Sequence, residues 1–283
     1  MSTQKQRREQ LKKDTVNGQK ELDGILATRK RAVKGAVTQA AGSKGFATNA
    51  NVRNKLYSEL AGEYKTLNTS INKWTVDSID DTAKTWWGYA KEDMPNGTAQ
   101  TFGAFSEKHI QDITSKINPS TITEKVAVNA NIGGMLQNDI RTVQAAVSTT
   151  LAEGSVAGYT YPQMATIMKA KVIEATGSFT FIDAAGRHRT ADSYFAMLNR
   201  TLHSTAARDT YNTMQTDAGL DLVRVEGSSS DPDSPCIPWE GKILSLTGET
   251  KGYPTIAYAE STGLFHPNCI HTTSVYIPPR EKS

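Results

Sequence analysis

The sequence predicts an α+β protein, with a long helical N-terminal region followed by a small α+β C-terminal domain built on short strands. Up to about residue 175, apolar residues recur every three or four positions, as in amphipathic helices. After Gly177, short alternating runs and loops rich in Gly, Ser, Pro and Asp take over. We therefore expect a basic helical arm at 1–41, a helical region at 52–175 and an α+β domain at 176–283.

The N-terminal arm is basic. Residues 5–41 carry ten Lys or Arg against four Asp or Glu, around apolar positions at helical spacing. One interpretation is a solvated helix face, and the other is contact with nucleic acid or an acidic partner surface. The arm has no aromatic residue, which argues against base stacking. The side chains proposed for such contact are Arg7, Arg8, Lys12, Lys13, Arg29, Lys30 and Arg31.

The helical region is expected to consist of several helices. A small polar stretch at 42–51 predicts a break, and the spacing from Leu56 to Trp74 predicts a long helix after it. The sequence then predicts a turn at 95–97 and a short helix at 105–117, which ends at 118–120. A further helix is predicted at 132–151, and Gly154 stands just beyond it, where the C-terminus of a helix favours a residue that can adopt a positive φ. Another helix is predicted at 160–174.

The C-terminal domain has mixed patterns. Residues 178–190 read as a β-hairpin, and 191–217 as a long helix closed by Gly219. Three β-type runs, at 220–225, 242–246 and 272–277, are separated by loops. These runs predict a small, loop-rich sheet.

Two thiols and two imidazoles occur in this domain, at Cys236, His266, Cys269 and His271. This is a donor set that a structural zinc ion takes in tetrahedral geometry, and a small domain gains stability from such an ion. The spacing is not that of a standard zinc finger, so a metal-free packed cluster under Trp239 and a Cys236–Cys269 disulfide stay open as alternatives. A nucleophilic cysteine would also need an orienting group and an oxyanion site, which the sequence does not reveal.

Several functional classes are not indicated. No apolar segment follows the basic N-terminus and no run approaches the roughly 18 apolar residues of a membrane span, so neither secretion nor membrane insertion is expected. The common nucleotide-binding and protease motifs do not occur.

Four blocks in the last third carry a family resemblance: FIDAAGRHRTADSYFAMLNRT, AGLDLVRVEG, SPCIPWEGKILSLTG and GLFHPNCIHT. In this order and spacing, residues 155–280 resemble the phage minor capsid protein 2 group, relatives of the Mu F-like head morphogenesis proteins. The chain departs from many of these relatives at Asp233, where they carry the first cysteine of a Cys-x-x-Cys pair. The resemblance assigns fold-motif roles to Arg200, Thr201, Trp239, Gly241, Pro267 and Asn268.

The resemblance implies a structural minor capsid protein of a tailed phage, not an enzyme. Such a protein would lie in the virion, at the portal or inner capsid, and would aid head assembly or genome packaging and ejection. The implied partners are the portal protein and the major capsid or scaffold protein, with packaged DNA a candidate for the basic arm. No cofactor follows from the resemblance, and structural zinc stays an open interpretation. The alternatives are a metal-dependent hydrolase or nuclease, and a DNA-binding internal head protein.

Overall fold

The computed structural model describes residues 4–93, 108, 109, 112, 123–183, 185–266, 269 and 271–279. Helices dominate and the strands are short, so the predicted α+β fold class is confirmed. In chain order, the elements are α1 (Gln4–Gly42), α2 (Ala50–Asp93), α3 (Thr123–Ala157), α4 (Tyr161–Ala175), β1 (Thr180–Ile182), β2 (His188–Thr190), α5 (Ala191–Asp217), β3 (Leu222–Glu226), a 3-10 turn (Ile237–Trp239), β4 (Ile243–Ser245), α6 (Ile256–Ser261) and β5 (Thr272–Val275).

Contacts divide the chain into two compact units. The first contains residues 1–19, 75–121 and 196–283, and the second contains residues 20–74 and 122–195. Both units therefore combine segments that are distant in the sequence. The chain-order division at 1–41, 52–175 and 176–283 stays a prediction, and the units cut across it.

The second unit is mainly helical. The apolar residues whose spacing predicts helices are buried here, including Leu26, Leu60 and Leu67. A polar side chain lies within this core: the Asp139 carboxylate accepts from the Tyr64 hydroxyl at 2.7 Å and from the Gly177 N–H at 3.1 Å. Burial raises the pKa of the Asp139 carboxyl, although the hydrogen bond from Tyr64 acts in the opposite direction.

The β1–β2 hairpin also lies in the second unit. Thr180 pairs with Thr190 and Ile182 with His188 in an antiparallel register, as the sequence predicts. The turn is stabilised by Asp183, whose carboxylate accepts hydrogen bonds from the backbone and side chain of Arg187 at 2.9 Å. These contacts, led by the backbone N–H of Arg187, lower the pKa of Asp183 to about 2.

The helix boundaries follow the predicted breaks with one exception. The predicted break at 42–51 is present between α1 and α2, and α5 has the predicted bounds. Gly154 was predicted to end a helix, but α3 continues to Ala157 and the next residue, Gly158, adopts a φ of +69°. The prediction of Gly154 as the helix end is wrong. A glycine is needed at position 154 because the Met164 side chain occupies the space that a Cβ would fill.

Parts of the predicted helical region lie outside the described residues. These are the turn at 95–97, the stop at 118–120 and most of the short helix at 105–117. Within that last range, residues 108, 109 and 112 are described and are helical.

The first unit contains a three-stranded antiparallel sheet in the order β4-β3-β5. Leu222 of β3 pairs with Ser245 of β4, and Glu226 pairs with Thr272 of β5. Helix α5 contributes the buried side chains of Ala207, Tyr211 and Met214 to a core that also includes Leu11 of α1 and Trp86 and Ala90 of α2. The first turns of the basic arm are thus part of this core.

A second group of contacts in this unit is polar and buried. Asn199 of α5 donates to the Thr15 carbonyl oxygen at 2.8 Å, and Thr82 Oγ1 lies 2.7 Å from His203 Nδ1. The backbone of α1 passes so close that a Cβ on Gly18 would stand 2.5 Å from His203 Nε2. Because His203 is only 4% exposed, the charged imidazolium is disfavoured and its pKa falls from 6.5 to about 4.

The buried imidazole makes the folded state sensitive to acid. Above about pH 6.5 His203 is neutral in both the folded and unfolded chain, and between pH 6.5 and 4 only the unfolded chain binds the proton. Stability is therefore lost as the pH falls through this window, by about 3 kcal/mol at most. We expect His203→Gln to reduce this loss when the free energy of unfolding in urea is compared at pH 7 and pH 4.5. The exposed His188→Gln variant should retain the full loss, and an equal loss in all three proteins would contradict the assignment.

Candidate functional site

The Cys/His residues lie in two loops that flank the central strand β3. Cys236 immediately precedes the 3-10 turn, in the connection from β3 to β4. His266 and Cys269 lie between α6 and β5, and His271 directly precedes β5. Since β3 pairs with both β4 and β5, the sheet brings these two loops to one place.

Three of the four predicted ligands meet. One donor atom from each of Cys236, His266 and Cys269 lies within 4.8 Å of the others. Both cysteines are buried and are free thiols, while His266 is half-buried. Ser234, which is also buried, places its hydroxyl 3.0 Å from Cys236 Sγ and 3.2 Å from His266 Nε2. The thiols, the imidazole and the hydroxyl form one small polar cluster.

His271 adjoins this group through one thiol. Its Nδ1 is 3.2 Å from Cys269 Sγ, and its Nε2 is 3.1 Å from Glu240 Oε1. The imidazole is fully buried, so both ring nitrogens are positioned by these contacts. Glu240 also accepts the Ser229 N–H at 2.6 Å. The Ser229 N–H, followed by His271, lowers the pKa of the Glu240 carboxyl.

Two glycines permit the close approach of the loops. Gly263 has a φ of +111°, and a Cβ there would stand 2.6 Å from the Cβ of Pro235, the residue before Cys236. Gly227 has a φ of +120°, and a Cβ there would stand 3.1 Å from His271 Cδ2. Both conformations are ones that L-residues with side chains rarely adopt. Glycine is therefore needed at these positions for reasons of conformation and space.

An apolar shell surrounds the cluster. Cys236 and Cys269 belong to a core with Val223, Val225, Leu244, Ala259 and Leu264, against which Trp239 is packed. Trp239 also contacts Tyr258 edge-on, with ring centroids 5.9 Å apart. Burial is the main reason that the pKa of the Cys269 thiol is raised. In the absence of a metal the thiol form is therefore favoured.

Helix α5 supports the loop that carries His266. The Arg208 guanidinium lies 4.1 Å from the centroid of the Phe265 ring, and Phe265 itself has a φ of +58°. A side chain held in this region signals that surrounding contacts determine the backbone. The Ser204 hydroxyl faces the Cys269 carbonyl oxygen at 3.5 Å. The helix thus contacts the loop at Phe265, before the thiol, and at the backbone of Cys269 itself.

The fold-motif residues occupy different environments. Arg200 and Thr201 lie on α5, where Arg200 is exposed and Thr201 is half-buried. Gly241 follows the 3-10 turn, has a φ of +69° and donates its N–H to the Val225 carbonyl oxygen at 3.1 Å. Pro267 and Asn268 lie outside the described residues. The roles of these residues stay predictions.

The predicted basic contact residues occupy different environments. Arg7 is buried, forms an ion pair with Asp93 and donates to the Tyr211 hydroxyl at 3.2 Å. Arg29 is paired with Glu63, and Lys30 with Asp192, each at 2.8 Å. These three cations have internal structural contacts. Arg8, Lys12, Lys13 and Arg31 are exposed.

A cavity of about 570 Å³ lies beside the first turns of α1. Lys5, Arg8, Lys12 and Arg200 line it together with one carboxylate, from Glu9. The Cys269 residue lines the same cavity. Four cations against one acid make it a basic surface that could accept phosphate groups.

The sequence interpretation missed Ser234, Glu240, Gly227 and Gly263. Hydroxyls, carboxylates and glycines are common, and their spacing carries no signal of which one faces a thiol or an imidazole. The Pro-Trp-Glu-Gly-Lys segment does point to a turn, but not to the contact between Glu240 and His271.

These features define a helix-rich α+β protein with a buried Cys/His cluster beside a small sheet. The sequence profile of the phage minor capsid protein 2 family matches residues 65–282, which is more than half of the chain. The chain belongs to this family, and it is a structural protein of the phage virion. The match begins well before residue 155, where the sequence resemblance was expected to start. No curated protein and no solved structure matches the chain.

Among the described residues, no helix is both long enough and apolar enough to cross a bilayer.

The close approach of Gly263 to Pro235 should make the stability of the protein sensitive to a side chain at position 263. Gly263→Ala introduces a strained φ and a contact with Pro235, whereas Gly252→Ala introduces only a strained φ, because nothing lies within 4 Å of its Cβ position. We expect the free energy of unfolding to fall by about 1 kcal/mol in Gly252→Ala and by a further 1–3 kcal/mol, roughly, in Gly263→Ala. Urea unfolding of both variants measures the difference, and equal losses would show that the loops do not meet closely.

Proposed function

We propose that the protein binds the portal or the inner surface of the capsid shell, where it aids head assembly or genome packaging and ejection. Membership of the minor capsid family is the observation that carries this proposal. The mechanism is surface complementarity: the protein is positioned by packing against a larger shell, and its buried thiols and imidazoles maintain shape. The partners we propose are the portal protein and the major capsid or scaffold protein.

An exposed apolar site in the second unit supports docking on a protein surface. Val156, Tyr159 and Tyr161 lie within six residues around the turn from α3 to α4, and they are 92%, 45% and 65% exposed. Tyrosine is enriched at protein interfaces because its ring is apolar and its hydroxyl is polar. A turn between two helices presents these side chains outward. We propose this turn as the contact with the portal or capsid shell.

Replacing the three side chains tests this contact. We expect Val156→Ser, Tyr159→Ser and Tyr161→Ser, combined in one variant, to weaken co-sedimentation with procapsids by about tenfold or more. Val76→Ser is the control, since Val76 is also 45% exposed but lies on α2. Unchanged sedimentation of the triple variant would reject this turn as the contact, and absence of the unmodified protein from procapsid pellets would reject the proposed docking.

A second candidate function is contact with packaged DNA, and the basic cavity favours it. Lys5, Arg8 and Lys12 are exposed on one side of α1, and Arg200 lines the same cavity from α5. Contact through these cations would be electrostatic and independent of sequence, because they can reach phosphates and the arm offers no aromatic residue for base stacking.

Salt dependence tests this candidate. In Arg8→Glu/Lys12→Glu, we expect weaker binding to duplex DNA and a slope of log affinity against log salt that is smaller by about 2. Lys65→Glu/Lys251→Glu makes the same charge change at exposed positions outside the cavity and should have a smaller effect. Equal effects of the two variants would mean that net charge, and not this cavity, determines binding.

A further inference from the structure

The convergence of Cys236, His266 and Cys269 is unusual for a purely packed core. The two thiols come from different loops and could each be surrounded by aliphatic side chains alone. Instead, their sulfur atoms and an imidazole nitrogen lie within 4.8 Å of one another, next to the Ser234 hydroxyl. A metal-free core has no need to gather such donors in one place.

We propose that these three residues and His271 bind one zinc ion. Zn–S bonds of about 2.3 Å and Zn–N bonds of about 2.0 Å place neighbouring donors of a tetrahedral site roughly 3.4–3.8 Å apart. The three donors lie within 4.8 Å of one another, so they need to approach by up to about 1 Å to reach these separations. His271 Nδ1 lies 3.2 Å from Cys269 Sγ. His271 contacts this group of three through Cys269 and would complete the coordination when an ion draws the donors together.

His271 has the environment of a metal-binding histidine. A histidine ligand commonly uses one nitrogen for the metal and donates the N–H of the other to a carboxylate, which orients the ring. His271 Nε2 already lies 3.1 Å from Glu240 Oε1, and Nδ1 faces the thiol group. The Ser229 N–H fixes the other side of this carboxylate at 2.6 Å. Glu240 is therefore assigned as the residue that orients a ligand, and not as a ligand itself.

The donor set identifies the metal. Two thiolates and two imidazoles in tetrahedral geometry favour zinc over magnesium or calcium, which prefer oxygen ligands. Four protein ligands close the coordination shell, so the ion serves structure and leaves no position for substrate. It would link the loop before the 3-10 turn to the loop before β5. A small sheet with short strands gains the most from such a link.

Metal analysis of the full chain tests the site. Protein purified under reducing conditions should contain about one zinc ion per chain by elemental mass spectrometry. Chelation should lower the midpoint of thermal unfolding, and added zinc should restore it. His266→Ala should lower the zinc content, whereas His188→Ala, in an exposed hairpin, should not. Absence of bound zinc, together with an unchanged midpoint after zinc addition, would overturn the proposal.

Replacement of Glu240 tests separately whether this residue orients His271. Glu240→Gln leaves all four ligands in place, so we expect zinc affinity, measured by competition with a chromophoric chelator, to fall about 10- to 100-fold. Unchanged affinity would remove Glu240 from the site.

If a ligand variant fails to fold, cobalt replacement in the unmodified chain still tests the ligands. Tetrahedral cobalt with two thiolates produces intense thiolate-to-metal absorption, and its absence would contradict the four-ligand assignment.

Discussion

The buried polar side chains of α5 are the constraint on which the first unit depends. Asn199, His203, Thr210 and Gln215 are all nearly inaccessible to solvent, and a polar group buried without a partner is destabilising by roughly 1–3 kcal/mol. One polar atom of each side chain has a partner outside the helix. Thr15, Thr82 and His109 contact the first three, and Gln215 donates to the Leu222 carbonyl oxygen at 2.6 Å. The helix therefore requires the segments around it to be in place.

This constraint explains why the basic N-terminal segment is not a free arm in its first turns. Leu11 joins the apolar core, and Gly18 allows the backbone to approach His203. Arg7 is held by Asp93 and Tyr211, where a buried cation needs a paired anion and a hydrogen bond to offset its lost hydration. Part of the arm's positive charge, at Arg7, therefore stabilises the core. Another part, at Arg8 and Lys12, is exposed on the surface.

The elements that could be predicted from the sequence are those determined by local signals. Helix α5 has its predicted bounds because Thr190 and Gly219 mark its ends, and the β1–β2 hairpin follows from alternation around a turn. Gly154 misled the prediction because its contact is with Met164, in the next helix. The pairing of Arg7 could not be foreseen, since Asp93 and Tyr211 are 86 and 204 residues away.

The same distinction holds for the candidate site. Cysteine and histidine are rare enough in this chain for their cluster to be noticed, and three of the four predicted residues do meet. The supporting residues could not be predicted, because Glu240 and Ser234 belong to abundant residue types whose role depends on the fold. The proposed zinc ion would hold the two loops together. A closed structural metal site is also compatible with a protein that is part of a particle.

The central claim is that this chain is a structural component of the phage head. Quantitative mass spectrometry of gradient-purified particles, before and after release of their DNA, tests it most directly. The account predicts that the chain is present in mature particles at a much lower copy number than the major capsid protein. Particles that are infectious and yet lack the chain would contradict it.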